Sequence, residues 1–223
     1  MAEDGFSMEW ERLWKERDSY AKWPWSDVVS AVHRHTDHDT EEFAVLELGC
    51  GAGTNLPFFL DLDVEYYGIE GSEYIVNELH DQYPDLENQL VSADFTEEIP
   101  FSSSFDLVLD RGSVTANSES GIRRALSLAY DQLVSGGRII SIDLVSTEHT
   151  EFRRGESGPD EYTRKGFDSG QFEKMGTIHF WDREHIIDLF ADFDLISLEH
   201  TRTEQHYPAD DYVRATWNLV GKK

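Results

Sequence analysis

Residues 43–55, FAVLELGCGAGTN, predict a buried strand, a glycine-rich turn and the start of a helix in succession. The strand segment, residues 43–48, is apolar apart from Glu47. Glycines in such a turn can adopt positive φ, and without a Cβ they let a ligand lie against the backbone. Free N–H groups at the following helix start favour a polar or anionic ligand group. This order predicts a ligand site, with a purely structural turn as the alternative.

The spacing of the glycines separates two classes of nucleotide site. A dinucleotide fingerprint has its third small residue three positions after the second glycine, where this chain has Thr54. The glycines here run G-x-G-x-G, and the segment ELGCGAGT resembles motif I of the class I S-adenosylmethionine (SAM)-dependent methyltransferases. The resemblance implies a SAM site that contains Glu47, Gly49, Cys50, Gly51, Gly53 and Asn55.

Two acids close the next predicted strands in the order that this resemblance requires. Glu70 ends EYYGIE, near the spacing of a ribose-binding carboxylate after the second strand of a nucleotide-binding fold. In the family this acid binds the SAM ribose, and the adjoining cofactor-binding positions are Gly71 and Ser72. Asp94 corresponds to the acid on the adenine amino group, and Phe95 to its apolar neighbour. Gly71 replaces a residue that is often apolar in the family, so Tyr74 or Phe95 is expected to cover the adenine.

The fourth predicted strand, within residues 105–113, supplies two candidate catalytic residues at its carboxyl end, where ligands bind in open α/β sheets. Asp110 is predicted to contact the cofactor and to accept a proton or orient the nucleophile. Arg111 either binds an anionic substrate group or pairs with Asp110. His179, in TIHFW, is a third catalytic candidate as a base, with a hydrogen-bonded structural histidine as the alternative.

The predicted fold is α/β and Rossmann-like, with a seven-stranded, mostly parallel sheet and helices on both faces, as the resemblance over residues 43–221 implies. The last two predicted strands, 193–199 and 212–220, have no helix between them. They match the antiparallel C-terminal hairpin of the methyltransferase family, whereas a dinucleotide-binding fold more often ends in a parallel strand.

The chain is predicted to comprise an N-terminal helical flap, residues 1–40, and a SAM-binding methyltransferase domain, residues 41–223. The flap is rich in aromatic residues and either covers one sheet edge or closes over the SAM pocket. A long polar stretch, about residues 146–178, is predicted to be an inserted substrate lid, with plain disorder as the alternative.

The net charge of the chain limits the partners that it can bind. The chain has 45 Asp and Glu against 19 Lys and Arg, a net charge of −26, and such a surface repels nucleic acid and anionic membranes. The acid excess resembles proteins of saline habitats, whose charged surfaces stay soluble.

Cys50 is the only cysteine, which excludes an internal disulfide and indicates a reducing compartment. With no apolar span or signal core, the chain is expected to be soluble and cytoplasmic. His33, His35 and His38 lack partner cysteines, so no metal site is predicted.

The resemblance implies in-line methyl transfer from SAM to a small molecule, with S-adenosylhomocysteine as the product. The segments WPW and TIHFWDREHIIDLF look similar to methyltransferases of surface-polysaccharide or unusual-sugar pathways, which suggests a sugar or polysaccharide precursor as the acceptor. Two other functions stay open at this point. One is a non-catalytic SAM-binding regulatory or partner subunit, and the other is a nicotinamide-dependent oxidoreductase, which the glycine spacing disfavours.

Overall fold

Ten strands occur in the described part of the chain, residues 7–16 and 20–223 of a computed structural model. Residues 1–6 and 17–19 of the predicted flap lie outside the described residues. The strands are β1 (Ala44–Leu48), β2 (Glu65–Glu70), β3 (Leu90–Ser92), β4 (Phe105–Arg111), β5 (Leu133–Val145), β6 (Glu156–Ser157), β7 (Thr163–Lys165), β8 (Ile178–His179), β9 (Asp194–His206) and β10 (Ala209–Lys222). The α-helices are α1 (Met8–Glu16), α2 (Ser26–His35), α3 (Leu56–Asp61), α4 (Glu73–Gln82), α5 (Glu119–Gln132) and α6 (Arg183–Leu189).

Seven of these strands form the central sheet in the order β3-β2-β1-β4-β5-β10-β9. Strands β1 to β5 pair in parallel with one another, whereas β10 pairs antiparallel with both β5 and β9. The predicted α/β fold with a closing antiparallel hairpin is therefore confirmed. The strand order reverses between β1 and β4, and in open α/β sheets the crevice beyond that point binds ligands.

Both faces of the sheet are covered, because successive strand residues point to opposite sides. On one face, Leu46 and Val108 pack with Ile122 of α5 and Ile186 of α6. On the other face, Val45 and Leu107 pack with Val28 of α2 and with Leu56 and Phe59 of α3. The continuous burial of β1, which the apolar run at 43–48 predicts, follows from this two-sided packing.

Two predicted boundaries are wrong. The sequence predicts a fifth strand over residues 138–145, after the glycine pair Gly136-Gly137. Strand β5 begins at Leu133 instead, because Gly136 takes φ 87° and the glycine pair bends the strand without ending it. The closing hairpin extends well past the predicted 193–199 and 212–220. The polar alternation of its outer part, almost wholly exposed, carries no hydrophobic signal from which the extension could be predicted.

The segment between β5 and β8 contains regular structure, which does not fit plain disorder, the alternative to the predicted lid. It holds a short 3₁₀ helix, Thr150–Arg153, and strands β6 and β7, which form a three-stranded antiparallel sheet with β8. A small apolar cluster anchors it, comprising Val145, Phe167, Phe172, Ile178 and Phe180. These residues are widely spaced in the sequence, so no helical or strand periodicity reveals their packing. We call residues 146–178 the insertion.

None of the helices within residues 7–16 and 20–223 has the length and apolar character needed to span a bilayer.

Candidate functional site

A cavity of about 760 Å³ opens beyond the carboxyl ends of β1 and β4, where the strand order reverses. Sites for small molecules typically enclose roughly 300–1,000 Å³. We call its β1–β3 side the glycine end, lined by Glu47, Gly49, Cys50, Gly51, Ala52, Thr54, Asn55, Glu70, Gly71, Ala93, Asp94 and Phe95. We call its β5 and β10 side the hairpin end, lined by Asp143, Val145, His149, Gln171, Phe172, Met175, Ile178, Arg214 and Thr216.

The glycine turn after β1 leaves no room for side chains. Gly49, Gly51 and Gly53 have φ of 65°, 53° and 70°, in the left-handed region that favours glycine. A Cβ on Gly49 would lie 2.3 Å from the Cβ of Ser113, in the loop after β4. The backbone of Gly49 therefore lies directly against the side chain of Ser113, and a larger residue at position 49 would push the two loops apart.

Glu70, at the end of β2, joins the glycine turn to the next loop. Its Oε2 accepts a hydrogen bond from the Gly51 N–H at 2.9 Å, and its Oε1 accepts one from the Ser72 N–H at 3.0 Å. Burial raises the pKa of this carboxyl, and the hydrogen bonds from Ser72 and Gly51 oppose that rise. Trp14 of α1 also hydrogen-bonds to Glu70 and lies against Gly51, so α1 covers this part of the cavity.

Glu47 lies at the inner wall of the glycine end, where it is 2% exposed. Its Oε1 accepts a hydrogen bond from Asn55 Nδ2 at 2.8 Å, and its Oε2 accepts one from the Tyr66 hydroxyl at 2.6 Å. Burial raises the pKa of Glu47 to about 7, against the lowering effect of these two hydrogen bonds. Burial also raises the pKa of the neighbouring Cys50 thiol well above its usual value, so this cysteine is a packing residue that stays protonated.

Asp94 and Phe95 follow β3 and line the same end of the cavity. Asp94 Oδ1 accepts hydrogen bonds from the backbone N–H and the hydroxyl of Thr96, at 2.9 and 2.7 Å. Phe95 lies beside Gly49, whereas Tyr74 does not line the cavity. Of the two residues expected to cover an adenine, Phe95 is the one that the structure places there.

Asp110 is completely buried and does not line the cavity. Its Oδ1 accepts hydrogen bonds from the backbone N–H groups of Ser113 and Val114 at 2.9 and 3.0 Å. Burial raises the pKa of Asp110 to about 6, while the hydrogen bonds from Ser113 and Val114 oppose the rise. In this geometry the carboxylate faces the loop after β4, which it positions, and not the cavity to which its predicted catalytic and cofactor roles assign it.

Arg111 does line the cavity, between its two ends. Pairing with Asp110 was one of the two alternatives predicted for this guanidinium, but the structure pairs it with Asp143, with Nη2 and Oδ2 2.5 Å apart. The guanidinium carbon also lies 3.9 Å from the ring centre of Trp25. Asp143 has φ 61° where the pairing of β5 with β10 is irregular, and this irregularity turns its carboxylate toward Arg111. The pair places a neutralised, stacked guanidinium in the cavity wall.

His179 is buried away from the cavity and cannot contact a ligand there. Its Nδ1 lies 2.9 Å from the Thr163 hydroxyl oxygen, and its Nε2 lies 2.9 Å from Nε2 of His185. Burial lowers the pKa of His179 to about 3, so the ring is neutral at pH 7. Its placement fits the structural alternative, because it ties the insertion, through Thr163, to α6.

His149 is the cavity histidine that sequence reasoning missed. It lines the hairpin end, and its Nδ1 accepts a hydrogen bond from the Glu151 N–H at 3.2 Å. The ring proton is therefore on Nε2, which lies 3.3 Å from Oε1 of Gln171. Burial lowers the pKa of His149, so the ring is a neutral hydrogen-bond donor in the cavity wall. A lone histidine in a polar stretch offers no sequence signal for this role.

Most of the predicted cofactor-binding residues thus come together at the glycine end. Gly53 and Ser72 do not line the cavity and support it from behind. Ser72 caps α4 through a hydrogen bond from the Ile75 N–H to its hydroxyl at 3.3 Å. The aromatic residues of the N-terminal segment that line the cavity are Trp10, Trp14, Tyr20 and Trp25, whereas Trp23 is 83% exposed.

Comparisons with known proteins agree with this arrangement. A family model described as a methyltransferase domain matches residues 45–137, which contain the glycine turn, Glu70, Asp94 and Asp110. The sequence has no significant match among curated proteins.

Solved structures share the architecture at low sequence identity. A SAM-dependent methyltransferase from Methanosarcina mazei superposes with a TM-score of 0.68 at 15% identity, covering 90% of this chain and 98% of that chain. A SAM-dependent methyltransferase from Clostridium acetobutylicum superposes with a TM-score of 0.63 at 14% identity, covering 96% of this chain and 95% of that chain. The glycopeptide N-methyltransferase MtfA, solved with SAM, gives 0.59 at 19% identity, covering 92% and 95%.

At these identities the solved structures establish the fold alone. Residues 45–137 match the model of a methyltransferase domain, and the chain has the fold of the class I SAM-dependent methyltransferases.

Proposed function

We propose that this protein binds SAM at the glycine end and transfers its methyl group to a small molecule bound at the hairpin end. The observation that carries the proposal is the hydrogen bond from the Gly51 N–H to the Glu70 carboxylate, at 2.9 Å. It holds a buried acid directly beside a turn whose glycines expose backbone to the cavity. A carboxylate in that position can accept both hydroxyl donors of a ribose.

The residues at the glycine end fit SAM part by part. Glu70 would accept the ribose hydroxyls, while Asp94 and Phe95 would bind the adenine through a carboxylate and a ring face. Glu47 and Gly49, at the end of β1, would bind the amino-acid part. A pKa of about 7 keeps Glu47 partly protonated near neutral pH, and a bound ammonium group would favour its charged form. MtfA, which shares this fold, was solved in complex with SAM, in agreement with this assignment.

When bound, SAM supplies a methyl group on a sulfonium, which is already a good electrophile. The task of the protein is then to align the acceptor and exclude water. Trp14 covers the glycine end, and Arg111, held by Asp143 and Trp25, forms the wall between the two ends. Asp110 acts as a positioning residue, since it orders the loop that carries Ser113 against Gly49.

The acceptor is a small molecule in this proposal, because the hairpin end is a cavity lined by residues of the insertion and of β10. A sugar or polysaccharide precursor is one acceptor of this kind and stays a prediction. His149 does not serve as the base in this proposal, since the hydrogen bond that Nδ1 accepts from the Glu151 N–H puts the ring proton on Nε2.

Titration calorimetry with S-adenosylhomocysteine tests the cofactor. We expect wild type to bind it and Glu70→Ala to bind at least about tenfold more weakly, because two ribose hydroxyls lose a charged acceptor. Glu65→Ala, at the exposed start of the same strand, is the matched control and should bind as wild type does.

Thermal melts of each variant separate loss of the site from loss of the fold, since Glu70 also accepts two backbone N–H groups. Absence of S-adenosylhomocysteine binding to folded wild type, in both low and molar salt, would overturn the proposed function.

A further inference from the structure

The charges that line the cavity differ between its two ends. The glycine end contains three acids, Glu47, Glu70 and Asp94, and no arginine or lysine among the described residues. Arg214 lines the hairpin end, and Arg111 lines the wall between the ends. The chain has 45 Asp and Glu but only 19 Lys and Arg. Which negative group each cavity arginine pairs with therefore decides whether it can bind a ligand.

Arg111 already has its partner within the protein. Asp143 lies 2.5 Å from it, so the two side chains together bring no net charge to the cavity. Arg154, just outside the hairpin end, is likewise paired with Glu151 at 3.3 Å. His149 is neutral because burial lowers its pKa, with the nearby Arg214 contributing in the same direction. These groups leave Arg214 as the source of uncompensated positive charge at the hairpin end.

Arg214 forms no ion pair with a carboxylate of residues 7–16 or 20–223. Its guanidinium lies 5.5 Å from the ring centre of Tyr212, and it stands two residues before Thr216 on β10, so both side chains face the cavity. Asp210 and Asp211 line the groove outside it, beyond ion-pair distance. The side chain is thus stacked on a ring and free to bind a group inside the cavity.

The remainder of the hairpin end is largely apolar. Val145, Phe172, Met175 and Ile178 line it, and three of these belong to the small apolar cluster of the insertion. Such a wall suits the body of a flat or ring-shaped molecule. His149 adds a neutral donor, through Nε2–H, near the same wall.

We propose that the methyl acceptor carries a carboxylate, which the guanidinium of Arg214 binds while the ring of the acceptor packs on Phe172 and Met175. This inference rests on the proposed methyl transfer and names the class of its substrate. A guanidinium binds a carboxylate through two parallel hydrogen bonds, which fixes the orientation of the acceptor as well as its affinity.

Matched acids and neutral analogues test the inference on protein saturated with S-adenosylhomocysteine. The probes are 4-hydroxybenzoate with 4-hydroxybenzamide, and glucuronate with glucose, so that the arms distinguish aromatic acids from sugar acids. We expect at least one acid to bind about tenfold more tightly than its neutral analogue, since a hydrogen-bonded charge pair of this kind contributes on the order of one to two powers of ten.

Arg214→Gln should reduce that preference to about threefold or less, whereas Arg214→Lys should retain part of it because the charge remains. Arg202→Gln is the matched control. It removes the same charge from the same hairpin, opposite Ala215, but Arg202 pairs with Glu148 and does not line the cavity. The control should keep the full preference for the acid.

Each result decides between the two proposals. If S-adenosylhomocysteine binds but no acid binds better than its neutral analogue, or if Arg214→Gln keeps the preference, the carboxylate inference is overturned and the proposed methyl transfer stands. If S-adenosylhomocysteine does not bind wild type, the proposed function itself is overturned.

Discussion

The glycine end of the cavity is held together by hydrogen bonds from backbone N–H groups to carboxylates. The hairpin end is instead lined by side chains from segments that are far apart in the sequence. Glu70 accepts N–H groups from Gly51, in the turn after the adjacent strand β1, and from Ser72, two residues further along the chain. At the hairpin end, His149 and Phe172 come from the insertion and Arg214 comes from β10. The two ends thus differ in what determines their shape.

A site held by backbone tolerates little change, because every contact depends on φ and on the absence of Cβ atoms. A site formed by side chains on an inserted segment can change its specificity through substitution while the sheet below stays the same. This contrast fits a protein in which one end binds a fixed cofactor and the other end binds a particular acceptor.

The largest effect is expected from a substitution that disrupts the glycine end. Gly49→Ala places a Cβ 2.3 Å from the Cβ of Ser113 at φ 65°, so we expect a loss of about 3 kcal/mol in the free energy of unfolding and loss of S-adenosylhomocysteine binding. Gly112→Ala is the control, since it has φ 70° but no atom within 4 Å of the added Cβ, and should cost about 1 kcal/mol. Equal losses in denaturant melts of the two variants would show that the contact with Ser113 is unimportant.

The next prediction concerns Glu47 and pH. Its pKa of about 7 in the folded protein exceeds the ordinary 4.5, so the stability it contributes is full below pH 4.5 and is lost as pH rises through 7. Glu47→Gln removes this dependence, and the variant should gain about 3 kcal/mol relative to wild type between pH 4.5 and 8. Glu65→Gln, at the exposed start of β2, should show no such trend. A pH-independent difference between Glu47→Gln and wild type would contradict the assignment.

The opposite pH dependence is expected where the insertion joins the core. The pKa of His179 is about 3 in the folded protein against an ordinary 6.5. The stability that this histidine contributes to the folded protein is therefore full above pH 6.5 and is lost as pH falls toward 3. Between pH 6.5 and 4.5, wild type should lose about 2 kcal/mol more stability than His179→Asn. His206→Asn, 88% exposed at the side chain, is the control and should follow wild type in urea melts at each pH. Parallel curves for wild type and His179→Asn would show that burial does not hold this histidine neutral.

The sequence predicted the glycine end well because its signals are local. The cofactor-binding candidates lie at the ends of predicted strands or in the turns that follow them, and parallel strands bring their carboxyl ends to one edge. Burial is less visible from the sequence. Asp110 and His179 carry the chemistry of catalytic groups, yet the structure places both behind the wall of the cavity.

The hairpin end could not be predicted in this way. The pairing of Arg111 with Asp143 depends on a strand irregularity, and the position of Arg214 depends on how far the closing hairpin extends. His149 and Phe172 reach the cavity only because scattered apolar residues fold the insertion.

The sequence by itself determined the strand-turn-helix order, the glycine spacing and the order of the acids at successive strand ends, because these depend on periodicity and on φ. The tertiary structure alone decided which titratable groups face the cavity and which are buried behind it. Burial and pairing depend on contacts between residues far apart in the chain, as between Arg111 and Asp143 or between Thr163 and His179. The uncompensated charge of Arg214 is a result of the same kind, since it depends on where every neighbouring carboxylate lies.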